Sequence, residues 1–252
     1  MKESIKAYEC QIITVSFEDL PWITESTQEG INQPSFPQHD IGTLAFYPII
    51  SSNYWFEKLF ARGIKTTQLR IKDLQKEDLK EEIRTVIKIT EKYKAKLFIN
   101  DYQELAMQHN AYDIHLRQED LANTDSKAIV QTNIRLEIST HGYYELARSY
   151  ALRPSCISFG PISPTTSKQM PFTLQGIFNL QHWRKLLKYP LVAVGRVSID
   201  KLPPILAGWV GGITVISAVL SDLDPEQVAL KFLKACKQAF LLRRKQGDYD
   251  RL

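Results

Sequence analysis

Short apolar runs rich in β-branched and aromatic residues alternate with longer amphipathic segments from Thr43 to the end of the chain. Runs of this length and composition predict strands that are buried on at least one face. Helical periodicity is clearest over residues 76–94 and over residues 224–245, which open with Asp-Pro as a helix commonly does. The eight predicted strands are TLAFYPII, KTTQLRIK, AKLFIND, YDIHL, IRLEIST, CISFGPI, PLVAVGR and GITVISAVL.

Eight successive strand–helix units predict an α/β fold, a (β/α)8 TIM barrel, and fit a doubly wound sheet less well. Residues 43–252 would form this barrel as a single domain. Residues 1–42 are polar and turn-rich without a sustained period, so they are predicted to be an N-terminal extension. Because such barrels carry their active sites at the carboxyl ends of the strands, functional side chains are expected at that rim.

Polar side chains follow the ends of the predicted strands. Gln68, Arg70 and Lys72 recur at period two, which would place them on one face of the second strand. A Gly-Pro stop after the sixth strand leads into GPISPTTSKQM, whose hydroxyls and lysine can hold an anion. The remaining candidates are Asn100 and Asp101 after strand three, His115, Gln118, Glu119 and Asp120 after strand four, Ser139, Thr140 and His141 after strand five, Gly195 after strand seven and Ser217 on strand eight.

Two carboxylates at this rim, Asp101 and Asp120, predict a Mg²⁺ site, since Mg²⁺ takes oxygen ligands and commonly bridges a substrate diphosphate. Arg70, Lys72 and Lys168 add three cations suited to the same anion. The sequence shows no evident pair of nucleophile and base. Departure of a diphosphate requires none, because the catalyst chiefly stabilises charge that grows on the leaving group.

A second anion site, of the monophosphate type, is predicted from the hydroxyls of Thr165, Thr166 and Ser167 together with backbone N–H groups near strands seven and eight. Plainer interpretations stay open for each feature. The hydroxyl-rich loop can be solvated surface, the two carboxylates can be helix caps, and His141 can be a packed or capping histidine. Convergence of all these groups at one rim favours the functional interpretation.

Composition and charge narrow the class of protein. The formal net charge is +4, with 32 basic and 28 acidic residues spread along the chain, which suits anionic small molecules and does not indicate a nucleic-acid partner. Cys10, Cys156 and Cys236 show neither disulfide nor zinc-finger spacing, as expected for a reducing cytoplasm. The N-terminus lacks a secretion signal and no apolar run is long enough to span a membrane, so a cytoplasmic protein without membrane contact is predicted.

In order along the chain, the motifs QLRIKD, LFINDY, HLRQEDL, STH, GPISPTTSKQMP and VISAV resemble the thiamine-phosphate synthase family, also called thiamine-phosphate pyrophosphorylase. The resemblance runs from about Ala45 to the C-terminal helix. It implies a (β/α)8 barrel in thiamine biosynthesis, a Mg²⁺-dependent transferase that joins 4-amino-2-methyl-5-hydroxymethylpyrimidine diphosphate to 4-methyl-5-(2-phosphoethyl)thiazole. The products are thiamine phosphate and diphosphate. Expected partners are these two small-molecule substrates, with self-association into a homo-oligomer left open.

The resemblance also implies residue roles. Asp101 and Asp120 match the magnesium ligands. The pyrimidine diphosphate site is matched by Gln68, Leu69, Arg70, Ile71, Lys72, Asn100, Ser139 and Lys168, of which Arg70, Lys72, Ser139 and Lys168 would be catalytic, and the thiazole phosphate site by Thr165, Thr166, Ser167, Arg196, Ile216 and Ser217.

Four positions depart from the family pattern, which usually has glycine there: Asp113, Arg117, Glu137 and Arg196. Glycine at such positions often serves a close ligand approach or a positive φ. Arg196 keeps the backbone N–H that would meet the thiazole phosphate, and its side chain is expected to point outward. Two other functions are compatible with the resemblance: a thiazole tautomerase, which the intact ND, QED and PTTSK motifs disfavour, and a non-catalytic paralogue that binds thiazole phosphate.

Overall fold

The computed structural model describes residues 35–40, 42–74, 76–163, 174–208 and 210–245. Within them, eight parallel strands form a closed barrel in sequence order, and the last strand pairs with the first. The strands are β1 (Tyr47–Ile50), β2 (Thr66–Leu69), β3 (Lys96–Asn100), β4 (Asp113–Leu116), β5 (Arg135–Thr140), β6 (Cys156–Phe159), β7 (Leu191–Ala193) and β8 (Gly212–Val215). The predicted (β/α)8 class is confirmed.

Helices follow the strands and cover the outside of the barrel. Short 3-10 turns at Leu121–Asn123 and Ile199–Lys201 supplement them. The helices are α1 (Asn53–Ala61), α2 (Lys76–Lys92), α3 (Gln103–Gln108), α4 (Ser126–Gln131), α5 (Tyr143–Ala151), α6 (Gly176–Leu186), α7 (Leu202–Ala207), α8 (Ser217–Leu220) and α9 (Pro225–Lys245). Of the helices that the structure describes, none combines the length and apolar character needed to cross a bilayer.

Alternation along the strands separates two buried regions. Ile114 and Leu116 of β4 pack in the large core between barrel and helices, so Asp113 and His115 point into the barrel. Paired residues of neighbouring parallel strands point to the same side of the sheet. Phe98, which pairs with Asp113, and Glu137, which pairs with His115, therefore also point into the barrel. The interior is therefore partly apolar and partly ionisable, which is unusual for a barrel core.

Five of the predicted strands, those at β1, β2, β6, β7 and β8, extend at least three residues beyond the observed ones. Strand β1 begins at Tyr47 and not at Thr43, because residues 42–45 form a turn closed by Ala45 N–H donating to Gly42 O at 3.3 Å. Strand β2 ends at Leu69, so Arg70 and Lys72 follow it. Residues 217–220 are helical, because the backbone leaves the extended region at Ile216, with φ −110° and ψ −85°.

The described part of the N-terminal extension lies across the amino end of the barrel. Phe36 is buried, and its N–H donates to Arg153 O at 3.0 Å. Arg135 Nε donates to Gln38 O at 3.0 Å, and His39 stacks on Phe98 with ring centroids 5.5 Å apart. Residues 35–40 thus act as a cover for this end, while the division into an extension 1–42 and a barrel 43–252 stays a prediction.

Candidate active site

The carboxyl ends of the strands gather buried amides that have no partner. Gln68, near the end of β2, is 1 % exposed, and neither its Oε1 nor its Nε2 meets a hydrogen-bond partner among the described residues. Asn100, the last residue of β3, is 2 % exposed, and its Nδ2 likewise has no hydrogen-bond partner among the described residues. Such groups cost about 1–3 kcal/mol each when left unpaired, so both are suited to receive a polar ligand.

Past the end of β2 the chain alternates apolar and cationic residues. Leu69 and Ile71 are buried in the outer core, and Ile71 O accepts from Tyr102 Oη at 3.1 Å. Arg70 is half-buried and Lys72 is exposed. Burial lowers the pKa of Arg70, nearby Asp101 opposes that shift and Arg117 adds to it. Arg70 therefore shares the electrostatic environment of the rim carboxylates.

Asp101 and Asp120 are brought together at the rim, as the sequence predicts. Arg117 Nε lies 3.2 Å from Asp101 Oδ1 and 3.2 Å from Asp120 Oδ2, and Arg117 Nη1 lies 2.6 Å from Glu119 Oε1. Burial alone would lower the pKa of Arg117, but the carboxylates of Asp101 and Asp120 raise it overall. The two carboxylates therefore converge on one cationic position, and a guanidinium lies there.

The capping interpretation of these carboxylates fails in the structure. Asp120 precedes the 3-10 turn Leu121–Asn123, yet its side chain makes no capping bond to that turn and instead accepts from Arg117 N at 3.1 Å. Asp101 is not the N-cap of α3, because that position is Tyr102 and α3 has no side-chain capping bond. The N–H of Asp101, which has a φ of +69°, donates to His115 O at 3.1 Å and fixes the backbone of the strand end.

A buried chain of polar contacts joins three inward-facing residues below the rim. His115 Nε2 lies 2.7 Å from Ser139 Oγ, and His115 Nδ1 lies 3.0 Å from Glu137 Oε2. Glu137 is fully buried and also accepts from Tyr47 Oη at 2.5 Å and from Ser158 Oγ. A hydroxyl, an imidazole and a carboxylate are thus joined in one buried polar network, which the sequence interpretation missed.

These contacts set the charge of the buried pair. Burial favours the neutral forms of both groups, but Glu137 raises the pKa of His115 and His115 lowers the pKa of Glu137. Together these two shifts favour an imidazolium–carboxylate pair over two neutral groups. The period-two spacing of Glu137 and Ser139 on β5 was the available sequence signal, because it places both side chains inside the barrel beside His115.

Two other polar rim candidates have structural roles. Gln118 Nε2 donates to Ser139 O and to Ser149 Oγ, at 2.9 Å each, and so ties the loop after β4 to α5. Glu145 Oε2 accepts from His141 N at 2.6 Å and lies 2.9 Å from His141 Nδ1. Gly142 is the N-cap of α5, so His141 is not a cap, and the interpretation as a packed histidine, held by Glu145, is the one that fits this geometry.

The far side of the rim carries the predicted thiazole phosphate residues. Arg196 is exposed and has a φ of +47°, so it is the one of the four departures from glycine with left-handed backbone. The preceding Gly195 has a φ of +95°, and a Cβ there would lie 2.8 Å from Pro161 Cα. Ile216 and Ser217 are exposed at the end of β8. The four remaining predicted residues, Thr165, Thr166, Ser167 and Lys168, lie outside the described residues.

Comparisons with known proteins agree on one family. The family model described as thiamine monophosphate synthase matches residues 49–219. A thiamine-phosphate synthase of Enterobacter sp. (strain 638) is 42% identical over 203 residues, which cover 80% of this chain and 96% of the relative. A thiamine-phosphate synthase of Proteus mirabilis (strain HI4320) is 45% identical over 192 residues, covering 76% and 89%.

Solved structures give the same picture for the fold. A thiamine phosphate pyrophosphorylase from Pyrococcus furiosus superposes with a TM-score of 0.69 at 22% identity, covering 78% of this chain and 97% of that one. At this identity the likeness bears on the fold alone, and it matches the closed barrel described above.

Proposed function

The chain belongs to the thiamine monophosphate synthase family and is an enzyme of that family, and we propose which of its residues perform the reaction. It joins 4-amino-2-methyl-5-hydroxymethylpyrimidine diphosphate to 4-methyl-5-(2-phosphoethyl)thiazole and releases diphosphate with thiamine phosphate. The observation that supports this assignment of residues is the convergence of unpaired buried amides, cations and two carboxylates at the carboxyl rim of the barrel.

The pyrimidine and its diphosphate are proposed to bind on the β2–β5 side of this rim. Gln68 and Asn100 offer buried amides that can pair with the polar edge of the pyrimidine. Arg70 and Lys72 would hold the diphosphate, Arg70 with two parallel hydrogen bonds. Ser139, anchored by His115, would fix the ring so that its exocyclic methylene faces the incoming thiazole nitrogen.

Bond cleavage would come first in the proposed mechanism. Charge grows on the departing diphosphate, where the cations stabilise it, and a pyrimidine-methyl cation is left that the amino-substituted ring stabilises. The thiazole nitrogen then captures this cation. By the family resemblance, Lys168 would assist the departing diphosphate, and Thr165, Thr166, Ser167, Arg196, Ile216 and Ser217 would hold the thiazole phosphate.

Asp101 and Asp120 fit the family's Mg²⁺ as a donor set, because carboxylate oxygens of both reach the same point. Mg²⁺ bound there would neutralise part of the diphosphate charge. Arg117 occupies the space between the two carboxylates, so the ion and the guanidinium would compete for them. Because the Arg117 side chain is 41 % exposed, it can turn toward solvent without crossing the core.

The assignment is tested by mixing both substrates with Mg²⁺ and quantifying diphosphate and thiamine phosphate. We expect equal amounts of the two products from the unmodified chain. Asp101→Ala and Asp120→Ala should each lower turnover by orders of magnitude with the fold intact, since charge on the leaving group is left uncompensated. Glu119→Gln is the matched control, because Glu119 contacts the same guanidinium outside the ligand pair. Normal turnover and Mg²⁺ dependence in both alanine variants would remove the metal assignment.

Competition between Arg117 and the metal ion for the two carboxylates can be measured without substrate turnover. Arg117→Gly should tighten Mn²⁺ binding about tenfold, corresponding to about 1.4 kcal/mol, as measured from free Mn²⁺ by electron paramagnetic resonance. Arg62→Ala, which removes an exposed arginine paired with Glu226, should leave Mn²⁺ binding unchanged. Equal or weaker Mn²⁺ binding in Arg117→Gly would contradict the competition.

A further inference from the structure

A second cluster of ligand-type side chains lies at the opposite end of the barrel from the rim. His39 comes from the N-terminal cover, Asp113 opens β4 and Cys156 opens β6. Their potential donor atoms all lie within 4.8 Å of one another, and His39 Nε2 lies 3.1 Å from Asp113 Oδ2. Three different elements therefore place a nitrogen, an oxygen and a sulfur around one point.

The cluster is buried and its polar atoms are unsatisfied. Asp113 and Cys156 are 0 % exposed, and the His39 side chain is 2 % exposed. Among the described residues, neither nitrogen of His39 and neither oxygen of Asp113 meets a partner with hydrogen-bond geometry. His39 Nε2 and Asp113 Oδ2 lie close enough for an ion pair, whereas His39 Nδ1 and Asp113 Oδ1 meet no partner among the described residues. Buried polar groups in folded proteins are nearly always paired, so this cluster is suited to a bound group.

The surroundings position the imidazole for a ligand. The ring of His39 packs against Phe98 and Tyr112, with centroid distances of 5.5 and 5.8 Å. Two hydrogen bonds hold the residues just before His39 in place: Phe36 N–H donates to Arg153 O, and Arg135 Nε donates to Gln38 O. His39 is thus held over the barrel interior by contacts that do not involve its own nitrogens.

The donor set selects the chemical class of ligand. Imidazole and thiolate donors are typical of zinc and similar transition metals, whereas Mg²⁺ takes oxygen ligands only. Donor atoms around one tetrahedral zinc lie about 3.3–3.8 Å apart, given bonds of about 2.0–2.3 Å, so small side-chain adjustments within the present cluster suffice. Three protein ligands leave a fourth position for a water molecule.

We propose that His39, Asp113 and Cys156 form a transition-metal site of the zinc type at the amino end of the barrel, where the ion fastens the N-terminal cover to β4 and β6. The site is structural, because it lies at the end of the strands away from the rim. It is independent of the catalytic assignment, since it shares no residue with the rim.

Cobalt(II) is the probe that tests this site, because its thiolate complexes absorb by charge transfer. Adding Co²⁺ to the chelator-stripped full chain should produce one equivalent of thiolate-to-cobalt absorption, which Zn²⁺ abolishes. Cys156→Ser should remove the absorption, whereas Cys236→Ser, which alters another buried thiol, should retain it. Cys10→Ser should retain it as well, since Cys10 is not among the proposed ligands.

Two further variants keep the proposal falsifiable if Cys156→Ser does not fold. His39→Gln and Asp113→Asn should each weaken cobalt binding at least tenfold, and Zn²⁺ should raise the unfolding midpoint of the unmodified chain but not that of His39→Gln. Asp101→Ala, at the rim, should leave the cobalt spectrum unchanged. Absence of thiolate absorption in the unmodified chain, or its persistence in Cys156→Ser, would overturn the site and leave a plain His39–Asp113 ion pair.

Discussion

Glu137 shows how a charged residue is accommodated inside a barrel where the family usually has glycine. Its carboxylate contacts His115, Tyr47 and Ser158, all of which are buried with it. Removing one partner of such a pair leaves the other charge uncompensated in a low-dielectric interior, which is far costlier than losing a surface pair. The stability of this chain should therefore depend on Glu137 in a pH-dependent way.

Glu137→Gln should lower the free energy of unfolding by about 3 kcal/mol near pH 6, as measured by urea unfolding with chelator present. Because the pKa of His115 is raised in the folded state, the stabilisation that its charge provides is fully present below its unfolded pKa, about 6.5. This stabilisation is lost as the pH rises through the folded pKa. Because the pKa of Glu137 is lowered in the folded state, the stabilisation that its charge provides is fully present above its unfolded pKa, about 4.5, and is lost at lower pH. The deficit of the variant is therefore largest between these values and shrinks toward pH 9.

Other charged groups face the same histidine: Asp113 and Asp101 also act to raise the pKa of His115. Glu145→Gln is the matched control, because it alters a histidine–carboxylate pair of 2.9 Å whose side chains are about 20 % exposed. Its effect should stay below about 1 kcal/mol at every pH. A deficit for Glu137→Gln that is constant or grows toward pH 9 would contradict the charged pair.

The sequence predicted that residues such as Asp101 lie at the rim, but it did not predict which side chains contact them. A strand end fixes where Asp101 lies, because parallel strands finish at one edge. The pairing of Arg117 with that carboxylate, or of Glu137 with His115, depends on which side chains of adjacent strands share a face and a level. That register follows from the closed barrel and not from spacing along one strand.

Among the elements, α1 depends on a carboxylate supplied by its neighbour α2. Glu82 accepts from Asn53 N at 2.5 Å and from Asn53 Nδ2 at 2.7 Å, so it satisfies an N–H at the start of α1 that has no partner within the helix. Ser52 satisfies another, accepting from Tyr54 N at 3.3 Å. This contact also joins the first two helices of the outer layer.

Glu82→Ala should reduce the free energy of unfolding by about 1–2 kcal/mol, because a partly buried cap and an interhelical contact are both lost. Glu81→Ala is the control next in sequence, since Glu81 is exposed and lies 3.7 Å from Arg84. Urea unfolding of the two variants should separate them clearly. Equal losses would show that the Asn53 contact contributes no more than a surface pair.

The sequence predicted which strands and helices exist better than it predicted where each one begins and ends. All eight strands and both long helices are present, because their apolar periodicity is strong. The apolar run GITVISAVL continues past the point where β8 ends, so periodicity alone could not locate the turn at Ile216. The backbone leaves the extended conformation where the strand reaches the barrel rim, and the position of the rim cannot be read from a local apolar pattern.

In the whole molecule, α9 is fastened to the last strand–helix unit by one buried arginine. Arg243 Nη1 donates to Val210 O at 2.8 Å, and Nη2 donates to Leu206 O. Burial lowers the pKa of Arg243 to about 10. Since Leu206 and Val210 precede β8, the strand that meets β1, this contact supports closure of the barrel.

Arg243→Met should cost about 2–4 kcal/mol of unfolding free energy, because two buried carbonyls lose their donor. Faster native-state hydrogen exchange is expected in α9 and β8. Lys237→Met, an exposed change on the same helix, should stay within about 0.5 kcal/mol of the unmodified chain. Exchange that accelerates equally in every strand would indicate global destabilisation without a special role in closure.

The carboxyl group at position 113 also couples the barrel interior to the N-terminal segment. Burial raises the pKa of Asp113 to about 6, and without the imidazole of His39, which opposes that shift, the buried carboxyl would lose its ionic partner, whereas His39 beside a glycine would cost little. Replacing His39 alone should therefore lower the free energy of unfolding more than replacing His39 and Asp113 together. A residue of the N-terminal segment thus bears on which side chain the barrel interior tolerates at position 113.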